Sequence, residues 1–381
     1  MNAPSPTQVR YRALPEVSPR PMPLSQREIW RPAWRGRIRL WTTIVFAVAL
    51  SSCAAVTRSV RQHYIAETWT RVHLATHPQG RSQTGMVFDA ATGTSILFGG
   101  INASGILNDT WAWSGAKWTE LNPTVKPSGR ADAAIAYDPL TKDVLLFGGS
   151  DPNRVPQYGG TWSYNGITWS RLTPPQSPPA LSGAVMAFYP PSGDVVLYGG
   201  YASIGNRQYT SLETWSWNGI TWARLHPPTS PSRSLGGYAI AYDPASTQLI
   251  LFGNYFHLGA SPRSVRARSE TWDWNGSTWV QLHPKTSPRP LAGSAMAYDA
   301  QLHELILFGG GKILPMHPGN SSSTWAWNGR AWTLLQVRRH PPGLSEAPMS
   351  YDGATNQVVL FGGFDATGSI TFPHTTWLIG K

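Results

Sequence analysis

The 381-residue chain contains one cysteine, Cys53, which excludes internal disulfides, Cys-rich zinc sites and iron–sulfur clusters. Charge is scarce as well. Only 13% of residues are Asp, Glu, Lys or Arg, about half the share in an ordinary soluble domain, which argues against coiled coils and helix bundles. No Gly-Xaa-Ser-Xaa-Gly elbow, His-Glu-Xaa-Xaa-His pair or Walker sequence occurs, so the usual local signatures of hydrolases, zinc peptidases and phosphate-cradling loops are missing. What is present is 37 Gly, 33 Pro and 19 Trp in a chain that is 41% hydrophobic. That mixture favours strands and turns. The formal charge of +11 is divided, because residues 1–52 hold 8 Arg against Glu16 and Glu28. About half the excess lies there, and no nucleic-acid partner is expected.

Residues 1–39 are Pro- and Arg-rich without apolar periodicity, and read as a disordered basic leader on the cytoplasmic side. Residues 40–56 then run for 17 positions without a charge, the lower edge of what a helix needs to cross a bilayer. The arginines before this run outnumber Arg58, Arg61 and Arg71 after it, a bias that places everything downstream outside the cytoplasm. Leu50-Ser51-Ser52-Cys53 resembles the lipobox of bacterial lipoproteins, which implies lipidation at Cys53. An uncleaved anchor and full release after cleavage remain open, as does a start at Met1 or Met22. The expected partner is membrane lipid, reached through Cys53 or the 40–56 helix, with 57–67 as a linker and the remainder periplasmic or on the cell surface.

A repeat organises residues 68–381. Apolar runs ending in a glycine pair recur at Gly99-Gly100, Gly148-Gly149, Gly199-Gly200, Gly309-Gly310 and Gly362-Gly363, with Gly253-Asn254 as the variant, at intervals of 49, 51, 54, 56 and 53 residues. An alternating segment ending in Asp or Tyr precedes each run, and a Thr-Trp segment with a further Trp follows five of them. Each unit therefore reads as four strands, A to D, with Asn-Gly at 165–166, 218–219, 275–276 and 328–329 as the C–D hairpin. The glycine pairs, the following aromatic and the unit length resemble kelch repeats, including those of the galactose oxidase central domain, and this resemblance implies a six-bladed all-β propeller.

The sixth unit ends just after Trp377 and lacks a D strand. Residues 68–72, Thr-Trp-Thr-Arg-Val, have the D-strand pattern but precede every A strand. They are expected to pair with residues 375–379 and close the ring, which removes two open sheet edges.

Alternating strands put the B–C and D–A connections on one face, and these are the long, variable ones, the usual place for binding residues on a rigid scaffold. The candidate ligand-binding residues there are Arg207, Tyr209, Tyr255, Arg263, Arg266, Arg268 and Phe372, with the arginines of the 254–270 loop suited to an anionic group. The periodic Trp read as packing between blades. Kelch-type copper-radical oxidases need a Tyr–Cys cross-link, which the lone leader cysteine cannot supply, and no cofactor or metal is expected. Kelch-type sialic-acid mutarotases suggest a second possibility, a sugar-active enzyme with Glu213 or Glu270 as the acid/base. The first expectation is a module that binds a protein or glycan ligand.

Overall fold

The computed structural model describes residues 68–151, 158–204, 207–231, 237–257, 266–312, 319–366 and 371–380. The leader, the 40–56 segment with Cys53 and the 57–67 linker lie outside these described residues. Each repeat forms one four-stranded antiparallel sheet in the order A-B-C-D. In the first blade the strands are Gly85–Asp89, Thr94–Phe98, Thr110–Trp113 and Trp118–Leu121. The A strands of the next four blades are Ala134–Asp138, Val185–Tyr189, Ala239–Asp243 and Ala295–Asp299. In the sixth, Met349–Asp352, Gln357–Phe361 and Thr376–Ile379 are completed by Thr70–Val72. Each A strand packs beside that of the next blade, and the sixth returns to the first. The protein is a six-bladed β-propeller.

Closure occurs as expected. Thr70, Arg71 and Val72 pair with Leu378, Trp377 and Thr376, so the N-terminal strand supplies the D strand that the last repeat lacks.

The core lies between blades. Every B strand is covered on both faces by its neighbours, which is why it reads as a continuous apolar run and does not alternate; Leu97, Val144, Leu197, Leu251, Ile306 and Leu360 are all fully buried. The D-strand Trp of each blade is the staple. Its ring meets the B-strand Phe or Tyr of the preceding blade at centroid separations of 5.1 to 5.5 Å, as in Trp169 on Phe98, Trp222 on Phe147 and Trp332 on Phe252. Its Nε1–H donates to the Oγ1 of the preceding blade's C-strand Thr: Trp118 to Thr376, Trp169 to Thr110, Trp222 to Thr161, Trp279 to Thr214, Trp332 to Thr271 and Trp69 to Thr324, all within 2.9 to 3.1 Å. This accounts for the Thr of the repeated Thr-Trp segment, for the further Trp that follows it and for the burial of that indole, because a buried N–H needs an acceptor.

The glycine pairs end the B strands by turning left-handed, as at Gly148 (φ 74°) and Gly149 (φ 108°), where a side chain at 148 would collide with the Leu181 carbonyl of the next blade. The second glycine's N–H then donates to that next blade, for example Gly149 to Leu181 O at 2.8 Å. Blade four departs from this. Asn254 stays out of the left-handed region, and its side-chain amide takes over the contact, donating to Leu291 O at 2.5 Å and accepting from Leu291 N–H at 3.0 Å. With no turn to stop them, strands B and C run on as Gln248–His257 and Arg266–Trp274. The 254–270 segment, expected as a loop, is thus a projecting hairpin whose tip, 258–265, lies outside the described residues. A second departure is the hairpin Tyr201–Ile204 with Arg207–Thr210 in the B–C connection of blade three.

Candidate ligand-binding site at the mouth of the propeller

The residue six positions before the end of each A strand has the same backbone role in every blade. It is Gln83, Asp132, Gly183, Gly237, Gly293 or Glu346, and all six have positive φ, from 30° to 66°. Backbone bonds join five of the six in succession around the channel: Glu346 N–H donates to Gly293 O at 2.7 Å, Gln83 to Glu346 at 3.0 Å, Asp132 to Gln83 at 2.9 Å and Gly183 to Asp132 at 2.8 Å. Glycine takes this conformation without steric cost, whereas a side chain costs roughly 1–2 kcal/mol. Blades three to five carry glycine here, and at two of them a side chain would be crowded. A Cβ at Gly237 would strike the backbone of Gly293, and one at Gly293 would lie 2.8 Å from Glu346 Cγ. Blades six, one and two carry Glu346, Gln83 and Asp132.

A cavity of about 560 Å³ opens above this ring, a volume in the range of small-molecule sites. It lies on the face of the B–C and D–A connections. The ring residues form its floor, Ser150, Ser182 and Ser294 supply hydroxyls, and Tyr201, Gln208 and Tyr238 stand at its walls. Among the described lining residues the formally charged side chains are Asp132 and Glu346, and none is cationic. Ser82 Oγ donates to Glu346 Oε2 at 3.4 Å. Burial, then the nearby charge of Asp132, pushes the Tyr201 phenol above its ordinary range, so it is a neutral hydrogen-bonding group at neutral pH. Tyr238 packs edge-to-face on Tyr198 at 5.4 Å.

Two buried arginines beside the mouth are occupied structurally. Arg81 donates to Gly99 O and to both carboxylate oxygens of Asp109, at 2.5 and 2.7 Å. Burial alone would raise the Asp109 carboxyl, but the Arg81 bonds and charge outweigh it and hold it below the usual carboxylate value. Arg130 donates to Ser128 O and Gly148 O, and its guanidinium carbon lies 4.4 Å from the centroid of the Tyr158 ring. Burial lowers its pKa to about 10, still cationic at neutral pH.

The residues singled out from sequence are dispersed. Arg207 and Tyr209 lie on the exposed hairpin of blade three and flank Gln208, which with Tyr201 of the same hairpin reaches the cavity. Arg268 stacks over Tyr255 at 4.5 Å and pairs with Glu270 at 3.1 Å, away from the lining. Arg266 opens the C strand of the projecting hairpin. Phe372 packs against Phe364 at 5.9 Å. Arg263 and Cys53 fall outside the described residues. Glu213 accepts from Trp215 Nε1–H at 2.9 Å and from Arg224 at 2.8 Å. Glu270 accepts from Trp272 Nε1–H at 2.9 Å as well as from Arg268. Asp109 does the same for Trp111, so a carboxylate just before the Thr-Trp pair serves to hold the C-strand indole.

The sequence reading did not single out Gln83, Asp132, Glu346 or Tyr238. The signal of the first three is a column in phase with the repeat, Ser-Gln, Ala-Asp, Ser-Gly, Gly-Gly, Ala-Gly and Ser-Glu, always ending six residues before the A-strand terminus, and Tyr238 directly follows the Gly-Gly member.

No protein-family model matches the chain. A solved structure titled "Structure of YjhT" is similar over 81% of this chain and 97% of that one, with a TM-score of 0.57 and 18% sequence identity. The likeness is one of fold, and it is that of a six-bladed propeller with four-stranded antiparallel blades.

Proposed function

We propose that this chain is an extracytoplasmic, membrane-attached kelch-repeat propeller that binds a small polar ligand at the mouth of its channel. The observation that carries the reading is the cavity of about 560 Å³ lined by hydroxyl, amide and carboxylate side chains on the face of the variable connections. The kelch assignment is supported by the glycine pairs and the aromatic that follows them. Membrane attachment is supported by the 40–56 apolar run and the lipobox-like Leu50 to Cys53 segment. Glu213 and Glu270 are engaged by indole and guanidinium donors, which favours a binding role over acid/base catalysis at those two residues.

A glycan array probed with the full-length protein in detergent tests the binding reading. Retention of a saccharide that is lost in Gln208→Trp, a change on an exposed hairpin that plugs the mouth, supports it. Retention that is indifferent to this substitution moves the site elsewhere, and chemical turnover of the bound sugar makes the protein an enzyme. Mass spectrometry of the mature N-terminus tests placement. A lipidated Cys53 or an intact 40–56 segment in the membrane fraction supports attachment, whereas an unmodified soluble cytoplasmic protein refutes it.

A further inference from the structure

The face opposite the cavity is built from the A–B and C–D turns, and its six A–B turns and five C–D turns all lie among the described residues. In blades two to five the C–D turn is set by its first two residues. Asn165, Asn218, Asn275 and Asn328 each accept from the two N–H groups after the glycine, and that glycine takes positive φ. The third residue contributes only its N–H, and it is Ile167, Ile220, Ser277 or Arg330. Serine and arginine satisfy the turn, so the fold does not demand isoleucine. Ile167 and Ile220 are nevertheless 79% and 75% exposed, and each has an exposed aliphatic neighbour. Val125, 51% exposed, accepts through its carbonyl from Trp169 N–H at 3.2 Å and Thr168 Oγ1 at 3.4 Å, beside Ile167. Leu140, 61% exposed, shares its A–B turn with Thr141, whose Cγ2 lies 3.3 Å from where a Cβ would sit on Gly219, next to Ile220. Single exposed aliphatics are ordinary, whereas four gathered on two adjacent blades mark a contact surface.

Charge at the tips of this face has one sign. The turns contain Lys117, Lys142 and Arg330 and no Asp or Glu, and Lys126 follows Val125. Lys117, Lys126 and Lys142 are exposed. The carboxylates of blades two and three at this end, Asp138, Asp143 and Asp194, stand in the strands, the first buried and the others half-buried. The chain also enters the propeller here. Trp69 N–H donates to Arg339 O at 3.1 Å as Trp169 N–H does to Val125 O, so Thr68 holds in blade six the place of Thr168 in blade two, at the turn-face end of a D strand. Blade six stands across the ring from blade three.

We propose that the turn face rests on an anionic lipid surface, with Val125, Leu140, Ile167 and Ile220 dipping among the headgroups and Lys117, Lys126 and Lys142 paired with lipid phosphates. The proposal rests on the membrane-attachment reading above and gives the attached propeller an orientation. Chain entry at blade six and the aliphatic tips of blades two and three hold the face at two separate points. A tether on the same bilayer makes the second contact intramolecular, so a weak insertion is enough. The mouth cavity then opens away from the membrane.

Full-length protein reconstituted into vesicles of phosphatidylglycerol and phosphatidylcholine tests the orientation. An environment-sensitive fluorescent residue is introduced by codon reassignment at position 220 or, on the ligand face, at position 209. With acyl chains brominated near the headgroup, the probe at 220 is expected to lose about half its emission, since an interfacial side chain reaches roughly 5–10 Å into the headgroup boundary, while the probe at 209 keeps its own. The quenching should weaken about twofold or more at high salt or in phosphatidylcholine alone. Leu140→Ser with Ile167→Ser should weaken it as well and leave the thermal midpoint unchanged, because both side chains are exposed. If the probe at 209 is quenched and that at 220 is not, the propeller lies the other way up and the inference is wrong. If neither is quenched although the protein floats with the vesicles, attachment stands and the surface contact falls. A probe at 220 already shielded in detergent, in a protein that light scattering finds dimeric, makes the patch an interface between copies and likewise overturns the inference. If the protein does not float with the vesicles, the attachment reading falls and this inference with it.

Discussion

Asp273 stands in the C strand of blade four between Trp272 and Trp274, where the other blades carry Ala112, Ser163, Ser216, Ala326 and Leu378. Its Oδ1 is buried without a hydrogen-bond partner. Burial raises its pKa from 3.8 to about 6, only partly opposed by the Leu249 N–H. The folded form therefore holds a proton that the unfolded chain releases near its ordinary value, and stability falls as pH rises between about 4 and 6. The penalty is absent at lower pH and complete above that window. Asp273→Ser, the residue of blades two and three, should raise the thermal midpoint at neutral pH by roughly 1 to 3 °C after allowance for partial solvent screening. The gain should vanish near pH 4, approximately where both states of the wild type are protonated. Differential scanning calorimetry at the two pH values checks this, and an equal gain at both would mean that the carboxylate charge is not the cause. At this scale the sequence was least informative. Glu213 and Glu270 drew attention as carboxylates before an aromatic strand, yet that position turned out to hold indoles. Asp132 and Glu346 are isolated acids in polar connections, and only alignment of the six repeats puts them on one ring.

The elements were far more legible, because their pattern is set by the packing of one blade on the next. A B strand covered on both faces must be apolar throughout, and a D-strand Trp must meet both a ring and an acceptor, so the same residues recur in every unit. The C-strand Thr hydroxyls are that acceptor. Thr214→Val keeps the shape and branching but leaves the buried Trp279 Nε1–H without a partner, at an expected cost of about 1–3 kcal/mol. Trp279→Phe removes the donor as well as packing. The double variant should therefore lose less than the sum of the single losses, with a coupling of about 1 kcal/mol read from denaturant unfolding. Strict additivity would show that the hydrogen bond contributes nothing beyond ring contact. What the pattern concealed was the projecting hairpin of blade four. Its cause is local: neither Gly253 nor Asn254 turns left-handed, and the Asn254 amide serves the neighbouring blade from within the strand.

For the molecule as a whole, ring closure depends on three residues of strand from the far end of the chain. Thr70–Val72 completes the sixth sheet, and the adjoining Trp69, fully buried, packs on Phe308 at 5.3 Å and donates to Thr324 of blade five at 3.0 Å. Five glycine pairs with the Gly253-Asn254 variant, together with a D-strand sequence ahead of the first A strand, were enough to anticipate this arrangement, since the last repeat is short of one strand and the first is preceded by one. The energetic consequence differs sharply between two truncations. Removal of residues 1–35 should leave the unfolding midpoint unchanged. Removal through Val72 deletes the Trp69 staple, a loss of roughly 3–5 kcal/mol for a buried Trp, and bares the outer edge of Thr376–Ile379 to other chains. That variant should unfold earlier in denaturant and show concentration-dependent association by light scattering. A synthetic peptide spanning residues 66–74 should suppress the association by occupying the vacant edge. If the peptide has no effect while the truncated protein stays monomeric and as stable as the parent, the N-terminal strand is dispensable and the ring is closed by the remaining blade contacts alone.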